Sequence, residues 1–161
     1  MARAGDLLLT YMLEPQPVGS YFDRSRWPLH LTLMQWFAPQ GGLQALRQEL
    51  TLAARNIAPV AVTVGKEALF GPDATIPVNV IADQAPVCEL HTVLLNVLRQ
   101  LGLQVNDVQW VGEGYMAHVT QQGDERRAHE GQRLLINSFH IVRLIDDKTC
   151  EIVAEFTLAG R

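Results

Sequence analysis

The spacing of apolar positions changes several times along the chain, and each change marks an element. An apolar run from Leu7 to Leu13, closed by Pro15 and Pro17, predicts a first strand. A loop from Gln16 to Pro28 follows, and His30 to Phe37 then reads as an aromatic-rich strand stopped by Pro39 and Gly41-Gly42. From about Leu43 to Asn56 the period lengthens, with Leu43, Leu46, Leu50, Ala54 and Ile57 spaced for one helical face. Val60 to Gly65 and Ile76 to Ala82 read as strands, divided by the turn residues Phe70-Gly71-Pro72-Asp73. The clearest helix is Glu89 to Leu101, where Leu90, Val93, Leu94, Val97, Leu98 and Leu101 form one stripe and Gly102 supplies the stop. A short strand over Met116 to Thr120, a polar stretch from Gln121 to Gln132, and a hairpin of Phe139–Ile145 with Cys150–Leu158 complete the chain. The order β-β-α-β-β-α-β-β-β has two helices and about seven strands without strict alternation. It predicts an α+β fold rather than a doubly wound α/β sheet.

Length and charge narrow the function classes. The 161 residues predict a single domain spanning 1–161, long enough to bury a core without disulfides or a structural metal. Thirteen basic residues against seventeen acidic ones give a net charge of −4, which argues against partnership with long nucleic acid. A small nucleotide needs only a local patch and stays open. Cys88 and Cys150 have no metal-ligand spacing and read as buried thiols in a reducing compartment. No apolar run approaches the roughly 18 residues of a membrane span. The run at Leu7 follows Asp6 and lacks a small-residue cleavage site, so it reads as a strand rather than a signal peptide. A cytoplasmic protein without a membrane partner is expected.

The candidate chemistry lies in an internal echo. His30-Leu31-Thr32 and His118-Val119-Thr120 each fall on an expected strand. Positions i and i+2 of a strand share a face about 6.6 Å apart. Each tripeptide therefore presents an imidazole beside a hydroxyl, while Leu31 and Val119 point into a core. An imidazole moves protons and a threonine hydroxyl donates to an oxyanion, so the pairing suits acid–base work on an anionic group. The bland reading is two unrelated strand histidines satisfied by hydrogen bonds.

The pair H-x-T…H-x-T, one in each half, resembles the 2H phosphoesterase superfamily, whose best-known branch is the bacterial 2′-5′ RNA ligase and cyclic phosphodiesterase group. The apolar first strand ending in Glu14-Pro15, the segment Trp27-Pro28-Leu29-His30-Leu31-Thr32-Leu33, and the hairpin from Ser138 to Leu158 are similar to that family too. The resemblance implies a bilobal pseudo-twofold fold of two antiparallel sheets, each backed by a helix, around a central cleft. It implies hydrolysis of a 2′,3′-cyclic phosphate or short 2′-5′-linked nucleotide, in some members run backwards as RNA ligation, with no metal and no cofactor. His30 and His118 would be general acid and base in either order, and Thr32 and Thr120 would hold phosphate oxygens. The ligase branch often carries Arg in H-x-T-x-x-R, where this chain has Gln35 and Gly123. That departure and the acidic balance favour a small nucleotide or RNA-end phosphodiester as partner.

Further candidates surround the motifs. Trp36 and Met34 are expected on the face of His30, and Met116 on that of His118, where an aromatic ring could stack a base. Tyr115 sits beside the second motif, and Arg126 and Arg127 follow it, within reach of a cleft rim; Trp36, Tyr115 and Arg126 are the substrate-binding candidates. His91 and His129 read as surface residues, and His140 as a packed strand histidine. No His lies in metal-ligand register with another, so no metal site is expected. Two readings from other classes stand beside the enzyme: a non-catalytic module binding nucleotides or RNA ends, and a scaffold using the fold for partner contacts.

Overall fold

The computed structural model describes residues 1–161. The chain runs β1 (Leu7–Met12), β2 (Tyr21–Asp23), β3 (His30–Phe37), α1 (Leu43–Arg55), β4 (Val60–Phe70), β5 (Ile76–Ile81) and α2 (Ala85–Gln100). Two 3₁₀ turns (Val108–Trp110 and Gly112–Gly114), β6 (His118–Thr120), β7 (Arg133–Ile136), β8 (Ser138–Leu144) and β9 (Thr149–Thr157) follow. The α+β class is the one expected from the order of elements. The two expected sheets are instead one continuous order, β2-β9-β8-β1-β3-β6-β5-β4-β7. Its two halves meet where β3 pairs with β6 at Leu31 and Val119.

Both strands beyond the expected seven are edges of this sheet, β2 and β7. An edge strand of three or four residues is too short to show a period, and it shields little core. β7 passes through Asn137 alone into β8, so the outer edge of one half is tied covalently to the middle of the other. The second helix starts at Ala85, earlier than the stripe from Glu89 suggested. Pro86 in its first turn is compatible with the helix because no intrahelical N–H is needed there.

α1 and α2 pack against each other, α1 against β9, and α2 against β3 and β4. They cover one face of the sheet over a core containing Leu31, Leu33, Leu94, Leu98, Val119 and Phe139. A smaller apolar cluster of Met12, Val142, Leu144, Cys150 and Ile152 includes partly buried Phe22, Trp27 and Trp36 at its margin. Cys88, unlike Cys150, is only half-buried.

A β-bulge in β3 corrects one expectation about facing. Leu9 pairs with Met34 and Thr10 with Thr32, so one step on β1 matches two on β3. The extra residue reverses the alternation. Met34 is therefore fully buried in the helix-side core and does not share the face of His30.

His91 is the second correction. It was expected on the polar side of α2, yet it is 1% exposed. Its Nδ1–H donates to the Leu33 carbonyl at 2.7 Å, and its Nε2 accepts from the Gly112 N–H at 2.9 Å. This neutral ring thus ties α2 to the bulge of β3 and to the second 3₁₀ turn. Burial holds its pKa below the ordinary value. Below about pH 6.5 the unfolded chain protonates first, so stability falls as pH drops toward the folded-state pKa. We expect His91→Leu to destabilise the fold by about 2–4 kcal/mol in urea unfolding at pH 7, because two backbone groups lose their partner. The decline in stability from pH 7 to pH 5 should be shallower in this variant than in the wild type.

Candidate functional site

The register of the central seam brings the two tripeptides together. Leu31 lies opposite Val119 in antiparallel pairing. His30 is consequently opposite Thr120, and Thr32 opposite His118. Leu31 and Val119 are buried in the helix-side core, and the four polar residues lie half-buried on the other face. Such geometry places directly opposed Cβ atoms about 5 Å apart and the diagonal pair of histidines about 7–8 Å apart. One phosphate-sized group can then address both imidazoles and both hydroxyls.

The two imidazoles are held in the same way. His30 Nδ1–H donates to the Pro28 carbonyl and His118 Nδ1–H to the Met116 carbonyl, each at 2.8 Å and each two residues back. A carbonyl only accepts, so each neutral ring carries its proton on Nδ1 and presents Nε2 as a base. Neither Nε2 has a protein partner, and neither is shut away from solvent. Each ring also meets an aromatic: Trp27 lies 4.6 Å from His30, and Phe70 lies edge-on 4.8 Å from His118. Desolvation lowers both pKa values. That of His30 falls to about 4, with the charge of a protonated His118 adding to the effect of burial.

Short as it is, β6 is fastened from several directions. Gln84 Nε2 donates to the carbonyls of Ile81 and Ala117, and its Oε1 accepts from the Ala117 N–H. Tyr115 donates its hydroxyl to the Thr32 carbonyl at 2.7 Å and stacks on His91 with ring centroids 4.0 Å apart. Tyr115 thereby links the strand carrying His118 to the strand carrying Thr32, with His91 behind it.

A cavity of about 550 Å³ opens beside Thr32 and His118, lined also by Gln35, Phe70, Asp107, Trp110 and Met116. Gly114 turns at its wall, where a Cβ would overlap the Gln109 carbonyl. Tyr115 lines this cavity, but its hydroxyl is already committed to β3. Trp36 does not line it. Trp36 packs on the smaller apolar cluster and meets Trp27 at 6.1 Å, and Trp27 is the ring set against His30. Arg126 lies outside the cavity as well, paired with Glu14 at 2.7 Å and donating to the Trp27 carbonyl. That guanidinium holds the Glu14 carboxyl below its usual pKa. Arg127 pairs with Glu67.

His140 is buried as a strand histidine, 3.7 Å from Glu155, and His129 is exposed. Sequence reasoning missed Gln35, Phe70, Asp107 and Trp110 as lining residues, and Trp27, Gln84 and His91 as supports. Trp27 and Gln35 had a local signal, each three residues from the first motif, Trp27 before His30 and Gln35 after Thr32. The others come from separate segments that only folding gathers.

Three comparisons bear on this arrangement. A search among curated proteins by sequence found no match. The profile of the 2′-5′ RNA ligase superfamily matches residues 15–138. Among solved structures, TT0787 of Thermus thermophilus superposes with a TM-score of 0.66 at 16% identity, covering 97% of this chain and 99% of that one. A crystal structure described as a phosphoesterase gives 0.61 at 12% identity, covering 97% and 99%. E. coli LigT, crystallised with 3′-AMP, gives 0.60 at 13% identity, covering 98% and 99%. At these identities the structures show a shared fold. The profile runs from Pro15, just after β1, through both tripeptides to the start of β8, and on that ground the chain belongs to the 2′-5′ RNA ligase superfamily.

Proposed function

We propose that the protein is a phosphodiesterase that hydrolyses a 2′,3′-cyclic phosphate or a short 2′-5′-linked nucleotide by two-histidine acid–base catalysis. The observation that carries this reading is the matched pair of imidazoles, each with Nδ1 tied to its own strand's approach, Nε2 free, and the other strand's threonine at the opposed position of the register. Two proton carriers on one face suit a reaction that removes one proton and supplies another.

The larger pKa depression at His30 favours it as the base and His118 as the acid. His30 Nε2 takes a proton from water as the water oxygen bonds to phosphorus. The bond from phosphorus to the leaving ribose oxygen breaks, and His118 Nε2–H protonates that oxygen. Thr32 and Thr120 hydroxyls donate to the non-bridging oxygens, where negative charge concentrates. Both proton transfers are assigned to side chains, so EDTA should leave the activity intact. With a ribose hydroxyl in place of the water, the same two proton transfers would bond that oxygen to the phosphorus of a 2′,3′-cyclic phosphate and release the ring ester oxygen as a hydroxyl, so joining ends uses no additional group.

Assayed on the four nucleoside 2′,3′-cyclic monophosphates with EDTA, wild type should turn over at least one. His30→Ala and His118→Ala should each lower kcat/KM by about 10³-fold, and Thr32→Val or Thr120→Val by about 10²-fold. A folded wild-type protein that binds nucleotide without turnover would instead favour a binding module.

The pH dependence follows from the depressed pKa values. The reaction needs one imidazole charged and one neutral, and in the free protein both titrate below the ordinary 6.5. The optimum of kcat/KM should therefore lie between about pH 4 and 6.5 and fall toward alkaline pH. A bound phosphodiester anion favours the imidazolium, so the alkaline limb of kcat should lie at higher pH than that of kcat/KM. Steady-state profiles in constant-ionic-strength buffers check both limbs. A kcat/KM that rises from pH 7 to 8 would contradict the assignment.

A further inference from the structure

The cavity beside Thr32 and His118 has a charge character that the two motifs do not explain. Neither Lys nor Arg lines it, and apart from His118 its one ionisable acid or base with an exposed charge is Asp107. Gln35 reaches it from the position where H-x-T-x-x-R would place Arg. The arginines that follow the second motif are engaged elsewhere, Arg126 with Glu14 and Arg127 with Glu67. The ion-pair partner of Asp107 is the terminal ammonium of Met1 at 4.0 Å, almost wholly in solvent, which offsets little of the carboxylate's charge.

The remaining wall is apolar. Trp110 is 55% exposed at the cavity, with Leu69 and Met116 exposed beside it and Phe70 half-buried below. Large apolar side chains left in water around a polar centre mark a ligand site, and an exposed indole gains most from a flat ring laid on it. The volume suits one small organic group. A single phosphate anchored at the threonines would be served by hydroxyl donors and one imidazolium. A second phosphate carried into this cavity would meet a carboxylate whose ion-pair partner is a solvent-exposed ammonium, with no Lys or Arg in the wall to balance it, at a cost made larger by the apolar wall.

We propose that Asp107 is a specificity-determining residue, and that the cavity takes the ring of a nucleoside bearing no second phosphate while rejecting one that carries it. This rests on the reading of the two motifs as a phosphodiester site. The chemistry it selects is a mononucleoside ester with an uncharged far end, in contrast to an end that continues as a charged strand through the cavity.

The test compares adenosine 3′-monophosphate with adenosine 3′,5′-bisphosphate at pH 7 and 0.15 M salt, read by tryptophan fluorescence with Trp110→Phe as the control for the reporting ring. Turnover of adenosine 2′,3′-cyclic phosphate with and without a 5′-phosphate runs beside it. The bisphosphate should bind wild type at least about tenfold more weakly than the monophosphate. Asp107→Asn should narrow that gap to about threefold or less, and Asp107→Lys should reverse it. Equal binding of the two nucleotides by wild type, a gap unchanged in both variants, or no binding of either would overturn the proposal. Preferential binding without any turnover would support the selective cavity while sinking the two-histidine hydrolase. Turnover that ignores the 5′-phosphate would do the reverse.

Discussion

One backbone pairing carries the arrangement: β3 against β6 at Leu31 and Val119. It joins the two halves of the sheet, and because its two apolar residues face the helices, it turns two histidines and two threonines to the opposite face. A slip of one residue at this seam would bury the imidazoles and expose the core residues. The stability of the helix-side core and the geometry of the site are therefore set by the same register. The supports around β6 follow from that dependence. A three-residue strand has too few ladder bonds to hold a register unaided, and Gln84 and Tyr115 supply side-chain bonds where the ladder runs out.

The second physical theme is preorganisation by backbone carbonyls. Each motif histidine is bonded through Nδ1 to a carbonyl two residues earlier, so the tautomer is decided by the chain rather than by a carboxylate. A carboxylate partner would raise the imidazole pKa, whereas a carbonyl partner with desolvation leaves it low. His91 uses the same donor but closes its second nitrogen on Gly112, which makes it a strut with no free base. Three similar rings thus differ in chemistry through what meets Nε2.

The two motifs are near-equivalent in sequence and unlike in surroundings. Around His30, Trp27 packs between ring and apolar cluster, and Arg126 is drawn to Glu14. Around His118 the surface opens into a cavity with an indole, a thioether and one carboxylate. A pseudo-symmetric pair of motifs is thus set in an asymmetric surface, with this cavity on the His118 side.

Local pattern determined much of this protein. The strand from His30 to Phe37, both helices and the final hairpin were legible because each has a period long enough to read. The two H-x-T tripeptides were legible because i and i+2 on a strand share a face whatever the fold around them. Edge strands β2 and β7 were not, since a few residues at a sheet margin bury too little to impose a pattern. The burial of Met34 was not, since it depends on a bulge that only the pairing with β1 reveals. His91 looked like surface because its helix was read by its leucine stripe, and the two backbone groups that make its burial favourable come from β3 and a distant turn. The cavity wall joins Gln35, Phe70, Asp107 and Trp110 across long separations in sequence. The chain by itself specifies which groups can move a proton. Tertiary packing decides which nitrogen is free to do so and what lies beside it, because hydrogen-bond partners and desolvation come from segments that meet only in the folded state.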